Sequence, residues 1–304
     1  MKILGVGAYA PERKLTNADL EQMVETSDEW IVSRTGIHTR HIVAPGQSDV
    51  DLAEAAARQA VRASGLAGDQ IDVIICATFT VPRFVPSAAA DIQQRLGIHE
   101  DIIAFDLNAA CSGFVFALIT AERLLRPGQR ALVIGSEALS TVTDYQDRST
   151  CVLFGDGAGA VVIEQDGAPF WSKTLVRGGD DALKSDPYIR MQGGEVFKFA
   201  TRALNQTARD VIAQAGWQPQ EVDCFICHQA NLRILQNAAK QLEVGMDRFF
   251  VNVDEYGNTS AASVPLALAE AYQAGRLHNG DKVVLAGFGG GLTAGAAAFV
   301  WQGR

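Results

Sequence analysis

The sequence predicts an α/β protein assembled from two related halves. Short apolar runs of strand length alternate with longer segments of helical periodicity, the order expected when helices pack against sheets. Segments also recur at an offset of about 150 residues, since 72–76 matches 223–227 and 129–134 matches 281–285. This recurrence indicates duplication of one unit. Two such units would stack as helix–sheet–helix–sheet–helix if the central helices of the halves meet.

The length and charge of the chain limit what it can be. Its 304 residues give room for two such halves, which we assign to 1–165 and 166–304. Hydrophobic residues make up 48% of the chain, as in ordinary α/β enzymes. The net charge of -9 argues against a nucleic-acid or anionic-membrane partner, although it leaves room for a local basic patch.

The start of the chain and its cysteines indicate a cytoplasmic protein. Residues 1–7 form too short and too glycine-rich a run for a signal peptide, and they are expected to form the first strand. No apolar run is long enough to span a bilayer. Five cysteines, an odd number, favour reduced thiols over a disulfide framework.

Helix and strand signals alternate clearly in the first half. Helices are expected at 17–23, 27–31, 49–64, 87–96 and 114–125, and buried strands at 72–78, 101–107 and 130–135. Ser27 is a typical N-cap followed by two acidic residues, and the segment 49–64 is alanine-rich and amphipathic. The segment 114–125 is apolar almost all round, which predicts a helix buried on every side that Pro127 brings to an end.

A glycine-rich segment at 155–160 invites comparison with nucleotide-binding loops. Its glycines do not follow the GxGxxG spacing, and the residues after it, 161–163, indicate a strand where such a loop would lead into a helix. We therefore interpret the segment as a tight turn with close backbone packing.

One predicted turn carries a potential nucleophile. Cys111 lies between the strand 101–107 and the buried helix 114–125, and it is followed by the small residues Ser112 and Gly113. The positive end of the helix dipole would favour the thiolate there, and the small neighbours would let a substrate reach the sulfur. The alternative is that Cys111 is one more small buried apolar residue.

Two further turns come to the same region if the halves are related by duplication. His228 follows a buried strand, and Asn258 lies in the turn that matches the Cys111 turn. Cys, His and Asn at strand–helix junctions make an acyl-transfer constellation, although each alone is as readily structural. Cys224 and Cys227 have the CxxC spacing of zinc ligands, but they lie inside a strand without a second pair and do not predict a metal site.

Seven stretches of the chain resemble the β-ketoacyl-acyl carrier protein synthase III family of the thiolase superfamily. They are TSDEWI (26–31), RTGI (34–37), AACSG (109–113), FGDGAGA (154–160), HQANLR (228–233), GNTSAAS (257–263) and FGGG (288–291). The resemblance extends over essentially the whole chain. It implies the five-layered αβαβα thiolase fold, a homodimer, and decarboxylative condensation of an acyl-CoA primer with malonyl-acyl carrier protein, with no cofactor.

The resemblance also assigns catalytic roles. Cys111 would attack the primer thioester and become acylated, while the backbone N–H groups of Cys111 and Gly290 would form the oxyanion hole. His228 and Asn258 would both donate hydrogen bonds to the malonyl thioester carbonyl and so stabilise the enolate that forms as CO2 leaves. Phe154 would crowd the malonyl carboxylate with an apolar face, which favours its loss as neutral CO2.

Other residues are implied in binding the two substrates. Trp30 would stack on the adenine of CoA, while Arg34 and Arg148 would hold its ring and phosphates. The basic residues that would meet the acidic carrier protein are Lys198, Arg233 and Lys240.

The predicted primer pocket departs from the family pattern. Val85 lies where some relatives carry an aromatic residue that crosses the dimer to close the pocket, the connection 165–191 is short, and Gly194 replaces a polar residue. We expect a pocket for primers longer than acetyl, unless the shorter wall collapses inward. We name Val85 and Arg83 the gate residues of this pocket. Arg83, two residues before Val85, would suit a primer that ends in a carboxylate.

Four interpretations are open at this point. The chain is an initiating synthase that uses acetyl-CoA or another short acyl-CoA, or it is a relative in a specialised pathway, for example towards biotin or a secondary metabolite. A cysteine acyl hydrolase would use the same Cys, His and Asn but would need a path for water. A catalytically silent acyl-binding protein is disfavoured, because the nucleophile, His, Asn and oxyanion glycines are all present.

Overall fold

A computed structural model describes residues 1–303, and within them the strands and helices alternate along the chain. The strands are β1 (Lys2–Tyr9), β2 (Lys14–Thr16), β3 (Thr39–His41), β4 (Val73–Ala77), β5 (Ile103–Leu107), β6 (Arg130–Glu137), β7 (Gly157–Glu164), β8 (Phe170–Val176), β9 (Leu183–Ser185), β10 (Ile189–Met191), β11 (Cys224–Cys227), β12 (Lys282–Gly289) and β13 (Thr293–Val300). The helices are α1 (Asn17–Glu21), α2 (Asp28–Thr35), α3 (Asp49–Ser64), α4 (Ala88–Leu96), α5 (Gly113–Leu124), α6 (Arg148–Cys151), α7 (Gly193–Gln214), α8 (Leu232–Leu242), α9 (Val253–Tyr256) and α10 (Ser263–Gln273).

Two mixed sheets form the framework. The first has the strand order β1-β7-β6-β4-β5, in which β4 runs parallel to β5 and β6 while β7 runs antiparallel to β1 and β6. The second has the order β11-β12-β13-β8, with β11 parallel to β12. The pairs β2–β3 and β9–β10 form two small antiparallel sheets.

Helices cover both faces of each sheet and fill the space between the sheets. Helices α3 and α4 pack on the outer face of the first sheet, and α7 and α8 cover the second. The apolar helices α5 and α10 lie between the sheets and contact each other within one hydrophobic core. This arrangement confirms the predicted α/β fold with five αβαβα layers.

The two central helices begin in the same way. A short 3-10 turn, Ala110–Ser112, leads into α5, and its counterpart, Ser260–Ala262, leads into α10. The two turns pack against each other. The carboxyl ends of β5 and β6 and the turns that begin α5 and α10 therefore meet at one place, as the duplication predicts.

Two local predictions were wrong in part. The strand β5 was expected to be buried, but it lies at the edge of its sheet and leaves Ile103 51% exposed. The glycine-rich segment was expected to be a tight turn, but residues 157–160 belong to β7. Its predicted close packing is confirmed, because a Cβ atom on Gly159 would lie 2.4 Å from the backbone of Pro265 and Leu266 in α10.

Within residues 1–303, no helix combines the length with the apolar character that a membrane span requires.

Candidate active site

Cys111 lies in the turn that precedes α5 and is held from both halves of the protein. The hydroxyl of the next residue, Ser112, donates to Ala109 O at 2.8 Å and lies 2.7 Å from the hydroxyl of Thr293 in β13. Gly289, at the end of β12, approaches so closely that a Cβ atom there would lie 2.7 Å from the Cβ of Cys111. The nucleophile candidate therefore has a fixed position against the second sheet.

The Cys111 thiol is not acidic. Desolvation raises the pKa of Cys111 to about 11, and this effect outweighs the opposing influence of the Ser260 side chain and of the backbone N–H groups of Cys111 and Gly290. The effect of the helix dipole, which was expected to favour the thiolate, acts against this desolvation and stays a prediction. Helix α5 begins two residues later, at Gly113, and the loss of water around the sulfur dominates.

His228 immediately follows β11 and is enclosed by apolar side chains. Its backbone N–H donates to Ala286 O at 2.8 Å, and its ring meets the ring of Phe288 edge-on at 5.0 Å between centroids. Burial lowers the pKa of His228 to about 3, so the imidazole is neutral at physiological pH. A neutral imidazole can donate one hydrogen bond without carrying a charge into the site.

Asn258 is oriented by its own turn. Its backbone N–H donates to Leu153 O at 2.8 Å, and its side-chain Oδ1 accepts from the N–H of Ser260 at 2.9 Å. Because the oxygen is engaged in this way, the amide nitrogen is the part of the side chain left to donate to another group.

Two cavities meet at Cys111. The first, which we name the histidine cavity, has a volume of about 420 Å³ and is lined by Cys111, Phe154, His228, Asn258, Phe288, Trp30, Arg34 and Arg233 among others. The second, the hairpin cavity, has a volume of about 480 Å³ and is lined by Cys111, Gly290, Phe154, Phe79, Leu139, Leu183 and Ile189 among others. An acyl group on Cys111 could therefore occupy one cavity while a second substrate enters through the other.

The mouth of the histidine cavity is aromatic and basic. The guanidinium of Arg148 lies over the ring of Trp30, 5.1 Å from its centroid, and donates to Glu25 O at 2.7 Å. Asn231 donates to the backbone carbonyl of Arg34 at 2.9 Å and so ties α2 to the start of α8. The three residues predicted to bind CoA thus lie close together, at or next to this mouth.

The predicted docking residues lie on the outer helices. Lys198 is exposed on α7 and paired with Glu195 at 2.8 Å. Arg233 and Lys240 are exposed on α8 seven residues apart, a spacing that puts both on one face of the helix. The guanidinium of Arg233 also lies over the ring of Phe197, at 5.9 Å from its centroid.

The two gate residues line neither cavity of their own chain. Val85 is 82% exposed in the loop between β4 and α4. Arg83 forms an ion pair with Asp91 at 2.5 Å, within this same region. Any contact of these residues with a primer would have to be made in a second copy of the protein.

The short connection 165–191 does reach the hairpin cavity. Leu183 in β9 and Ile189 in β10 pack with Leu139 and Phe154 in one apolar cluster. Strands β9 and β10 pair as a hairpin, and their side chains therefore form part of the wall of the hairpin cavity. Gly194, at the start of α7, lines the histidine cavity.

A set of buried polar residues near Cys111 was not predicted from the sequence. Glu137 ends β6, is fully buried, and accepts a hydrogen bond from the Ser260 hydroxyl at 3.1 Å. Thr78, Thr80 and Asp49 complete this buried group. The signal available in the sequence was a single acidic residue at the end of a mainly apolar strand, directly before Ala138.

No metal site accompanies these groups in the described part of the chain. Across residues 1–303, no three His, Cys, Asp or Glu side chains are arranged so that they could hold a metal ion. Cys224 and Cys227 are buried within β11 as free thiols.

Comparison with known proteins agrees with this geometry. Residues 105–177 match the family model described as 3-oxoacyl-[acyl-carrier-protein (ACP)] synthase III, and residues 212–301 match its C-terminal model. The chain is 46% identical to the β-ketoacyl-[acyl-carrier-protein] synthase III of Alkalilimnicola ehrlichii, over 97% of this chain and 98% of the relative. It is 45% identical to the enzyme of the same name from Neisseria meningitidis, over 97% of each chain.

Solved structures give the same result. The 3-oxoacyl-[acyl-carrier-protein] synthase III of Aquifex aeolicus superposes with a TM-score of 0.95 at 44% identity, covering 99% of each chain. The corresponding enzyme of Thermus thermophilus superposes with a TM-score of 0.94 at 42% identity, over 100% of each chain. The chain therefore belongs to the β-ketoacyl-acyl carrier protein synthase III family of condensing acyltransferases.

Proposed function

We propose roles for individual residues in the reaction that this chain, as a member of its family, catalyses. That reaction is the decarboxylative condensation of an acyl-CoA primer with malonyl-acyl carrier protein, which initiates fatty acid synthesis. The observation that carries the assignment is the position of Cys111 where two cavities meet, with His228 and Asn258 in only one of them.

In the first half-reaction, Cys111 attacks the primer thioester and becomes acylated. The backbone N–H groups of Cys111 and Gly290 lie near enough to the sulfur to lower its pKa, so they are placed to receive the thioester oxygen as negative charge develops on it. The acyl chain then lies in the hairpin cavity, against the apolar side chains of Leu139, Leu183 and Ile189.

In the second half-reaction, His228 and Asn258 receive the malonyl thioester carbonyl. His228 is neutral because burial lowers its pKa to about 3, and the Oδ1 atom of Asn258 is already engaged by Ser260. Both side chains are therefore suited to donate hydrogen bonds to a developing enolate. Phe154 lines both cavities and offers the malonyl carboxylate an apolar face, which favours its departure as CO2.

CoA and the acyl carrier protein would both bind along the outer helices. We assign Trp30, Arg34 and Arg148 to CoA, in keeping with the aromatic and basic mouth of the histidine cavity. Helices α7 and α8 together carry five cations and two carboxylates, a net charge of +3 in a chain of net charge -9. Lys198, Arg233 and Lys240 belong to this surface, which suits an acidic carrier protein.

We also propose a homodimer in the cytoplasm. The edge strand β5 leaves Ile103 exposed, and Phe84 in the loop between β4 and α4 is 97% exposed, so apolar side chains are available for contact with a second copy. All five cysteines are free thiols, which suits a reducing compartment. Acyl-CoA and malonyl-carrier protein are substrates, so the reaction as proposed needs no cofactor. The division of the chain at residue 165 stays a prediction.

A primer longer than acetyl is the second candidate substrate. The hairpin cavity, at about 480 Å³, is in the range that holds whole small ligands and exceeds what a two-carbon acyl group fills. Arg83 is paired with Asp91 and lines neither cavity. Lys184 lines the hairpin cavity and lies 3.7 Å from the exposed Asp180, so a carboxylate at the end of a primer could compete with Asp180 for a cation of the same chain.

The decisive experiment is to incubate the protein with acyl-CoAs of two to twelve carbons, with and without a terminal carboxylate, and to measure the mass added to Cys111. Malonyl-carrier protein is then supplied and the product is identified by mass. Acylation followed by a 3-oxoacyl-carrier protein supports the proposal. Release of free acid without condensation would instead identify a cysteine hydrolase.

A further inference from the structure

Glu270 is hydrogen-bonded to both ends of α9, the short helix that leads into Asn258. It is half-buried in the second half of α10, and each of its carboxylate oxygens accepts one hydrogen bond. Oε2 accepts from Asn252 Nδ2 at 2.7 Å, and Oε1 accepts from the Tyr256 hydroxyl. Asn252 is the N-cap of α9 and Tyr256 is its last residue. One carboxylate therefore ties the whole of α9 to α10.

The first end of α9 is also tied to the residue that follows His228. The side-chain oxygen of Gln229 accepts from the backbone N–H of Asn252 at 3.1 Å, and its side-chain nitrogen donates to two backbone carbonyls at 2.8 and 3.1 Å. The backbone N–H of Gln229 donates to the Ser263 hydroxyl at 2.7 Å. Ser263 begins α10 seven residues before Glu270, so the two side chains lie on the same face of that helix.

These hydrogen bonds close a circuit beside His228. From the Gln229 N–H the circuit passes to Ser263 and along α10 to Glu270. It then crosses to Asn252 and returns to the Gln229 side chain. Gln229 is 1% exposed and Asn252 is 8% exposed, so solvent does not compete for their partners. A buried polar network whose members are all paired holds its elements rigidly, and the segment that carries His228 is therefore fixed relative to α9 and α10.

The other end of α9 determines where Asn258 lies. One glycine, with a φ angle of 64°, separates Tyr256 from Asn258. The ring of Tyr256 stacks on His41 with 5.1 Å between centroids. Its backbone oxygen is packed so closely that a Cβ atom on Gly155 would lie 2.3 Å away. With the hydroxyl of Tyr256 bound to Glu270, its ring and backbone are held on three sides.

A displacement of α9 would reach the malonyl side of the site and spare the nucleophile. Hydrogen bonds at 2.8 and 3.0 Å join the Asn258 backbone to Leu153 and Gly155, on either side of Phe154. Asn258 and Phe154 would therefore move together. The Cys111 turn is held by different hydrogen bonds, made by the hydroxyl of the serine that follows it.

We propose that Glu270 is a positioning residue for the malonyl half-reaction, and that it fixes the separation of the His228 ring and the Asn258 amide through α9. This inference rests on the proposed function, in which both side chains donate to one malonyl thioester carbonyl. Two donors reach the same oxygen only while their separation is maintained, and a displacement of about 1 Å costs roughly 10² in rate. Glu270 lines neither cavity, so it acts through the residues it holds.

The first test compares the two half-reactions in Glu270→Ala. The rate of Cys111 acylation by acyl-CoA is measured by mass, and the release of CO2 from malonyl-carrier protein is measured per acylated Cys111, so that protein unable to fold is not counted. Acylation should stay within about twofold of the unsubstituted protein, while kcat for CO2 release should fall by about ten- to a hundredfold. The KM for malonyl-carrier protein should stay within about twofold, because the surface of α7 and α8 is unchanged.

Conservative variants should restore part of this loss. Glu270→Gln keeps one acceptor oxygen and can hold one of the two donors, so its kcat for CO2 release should lie between those of Glu270→Ala and the unsubstituted protein. Tyr256→Phe keeps the ring that stacks on His41 and removes one of the two hydrogen bonds, so it should resemble Glu270→Gln.

Glu122→Ala is the matched control on the other central helix. Glu122 is a half-buried glutamate on α5 that accepts a hydrogen bond from Gln165 Nε2 at 3.0 Å, and it lies near the end of the helix away from Cys111. The same substitution there removes a hydrogen-bonded carboxylate without touching α9. Both half-reactions should therefore keep the rates of the unsubstituted protein.

A combined variant distinguishes positioning from a general structural role. If Glu270 acts through the two donors, its removal from a protein that already carries His228→Ala and Asn258→Ala should not lower the residual CO2 release further. A further tenfold loss in that protein would overturn the proposal, as would an equal loss of both half-reactions, or full CO2 release, in Glu270→Ala alone. Failure of the proposed function is separately visible, because His228→Ala and Asn258→Ala would then retain CO2 release by themselves.

Discussion

Ala110 and Ser260 adopt the same left-handed backbone conformation, with φ angles of 46° and 49°, at matching positions of the two halves. Each follows an asparagine by two residues. Asn108 Oδ1 accepts from Ala110 N–H at 3.1 Å, and Asn258 Oδ1 accepts from Ser260 N–H at 2.9 Å. The duplicated turn thus has one hydrogen-bonding pattern and two different uses.

This conformation is costly for residues other than glycine, by about 1–3 kcal/mol at each site. The asparagine hydrogen bond stabilises each turn and partly offsets that cost. In the first half the turn presents the Cys111 thiol, and in the second it orients the amide of Asn258 and the hydroxyl of Ser260. A strained turn at each of these places is consistent with selection for side-chain position over stability.

Cys111→Ala should abolish acylation by primer CoA and all condensation, because Cys111 is the cysteine that lines both the histidine cavity and the hairpin cavity. The other four cysteines are buried, whereas Cys111 is half-buried at the meeting of two cavities. Iodoacetamide should accordingly modify Cys111 before the others, as peptide mass mapping would show. Acylation that persists in Cys111→Ala would contradict the assignment.

His228→Ala and Asn258→Ala should separate the two half-reactions. Both side chains line the histidine cavity and neither lines the hairpin cavity, so primer acylation should largely survive while malonyl decarboxylation falls by about 10²-fold. This corresponds to the loss of one oxyanion donor, on the order of 3 kcal/mol. Single-turnover acylation and release of labelled CO2 measure the two steps.

The pH dependence of decarboxylation gives a second check on His228. Burial lowers the pKa of His228 to about 3, so the neutral form persists down to that pH. Decarboxylation by protein already acylated should then show no inflection near 6.5, the ordinary pKa of histidine. An inflection there that disappears in His228→Gln would mean that the imidazole titrates and acts as an acid or base. If His228→Ala and Asn258→Ala both lose acylation, His228 would instead have a protease-like role in activating the Cys111 thiol.

Gly289→Ala should block acylation without changing any reacting side chain. The added Cβ would lie 2.7 Å from the Cβ and 2.9 Å from the backbone nitrogen of Cys111, and so would displace the nucleophile. A displacement of about 1 Å costs roughly 10² in rate. Gly178→Ala is the control, since no atom lies within 4 Å of its new Cβ. Equal acylation rates in the two variants would show that the close approach at Gly289 is not needed.

Local sequence patterns were enough to predict much of the fold. The helix α3 spans the predicted residues 49–64, and α5 lies within one residue of the predicted 114–125, since periodicity and capping act over a few neighbouring residues. The exposure of β5 could not be predicted in this way. Whether a strand lies at an edge depends on the order of strands in the sheet, and a run of apolar residues does not encode that order.

The candidate site was likewise predicted only in part. Cys111, His228 and Asn258 were predicted because the duplication relates their turns and the family motifs name them. Glu137 was missed because its partners, such as Thr80 and Ser260, are 57 and 123 residues away in the chain. The raised pKa of Cys111 was missed for a related reason, since desolvation depends on every group packed around the sulfur.

Arg233→Glu should weaken the use of malonyl-carrier protein more than the use of small acyl-CoA. Arg233 lies on the cationic surface of α7 and α8, so reversing its charge should raise the apparent KM for carrier protein several-fold at low salt. Added salt should reduce the difference in this KM between Arg233→Glu and the unsubstituted protein. Arg62→Glu on α3 makes the same change of charge on the opposite outer layer and should leave the KM unchanged. Equal damage to both steps in Arg233→Glu would assign Arg233 to CoA binding or to structure.

Val85→Phe tests the size of the primer pocket. Val85 is 82% exposed and would reach the pocket only in a second copy of the protein, where an aromatic side chain would occupy space that valine leaves open. Each CH2 group of a primer that can be buried contributes about 0.8 kcal/mol, so three additional carbons correspond to roughly 60-fold in preference. We therefore expect Val85→Phe to lose most of its activity with long primers and to keep its activity with acetyl-CoA.

The acetyl-CoA reaction serves as the internal control in this comparison, because an acetyl group would not reach the added ring. Initial rates with acyl-CoAs of two to twelve carbons should fall with length in Val85→Phe and not in the unsubstituted protein. Arg83→Ala should leave this length dependence unchanged, since Arg83 is paired with Asp91. If the unsubstituted enzyme uses only acetyl-CoA and Val85→Phe changes nothing, the hairpin of β9 and β10 has filled the pocket, and the enzyme has the ordinary initiating role.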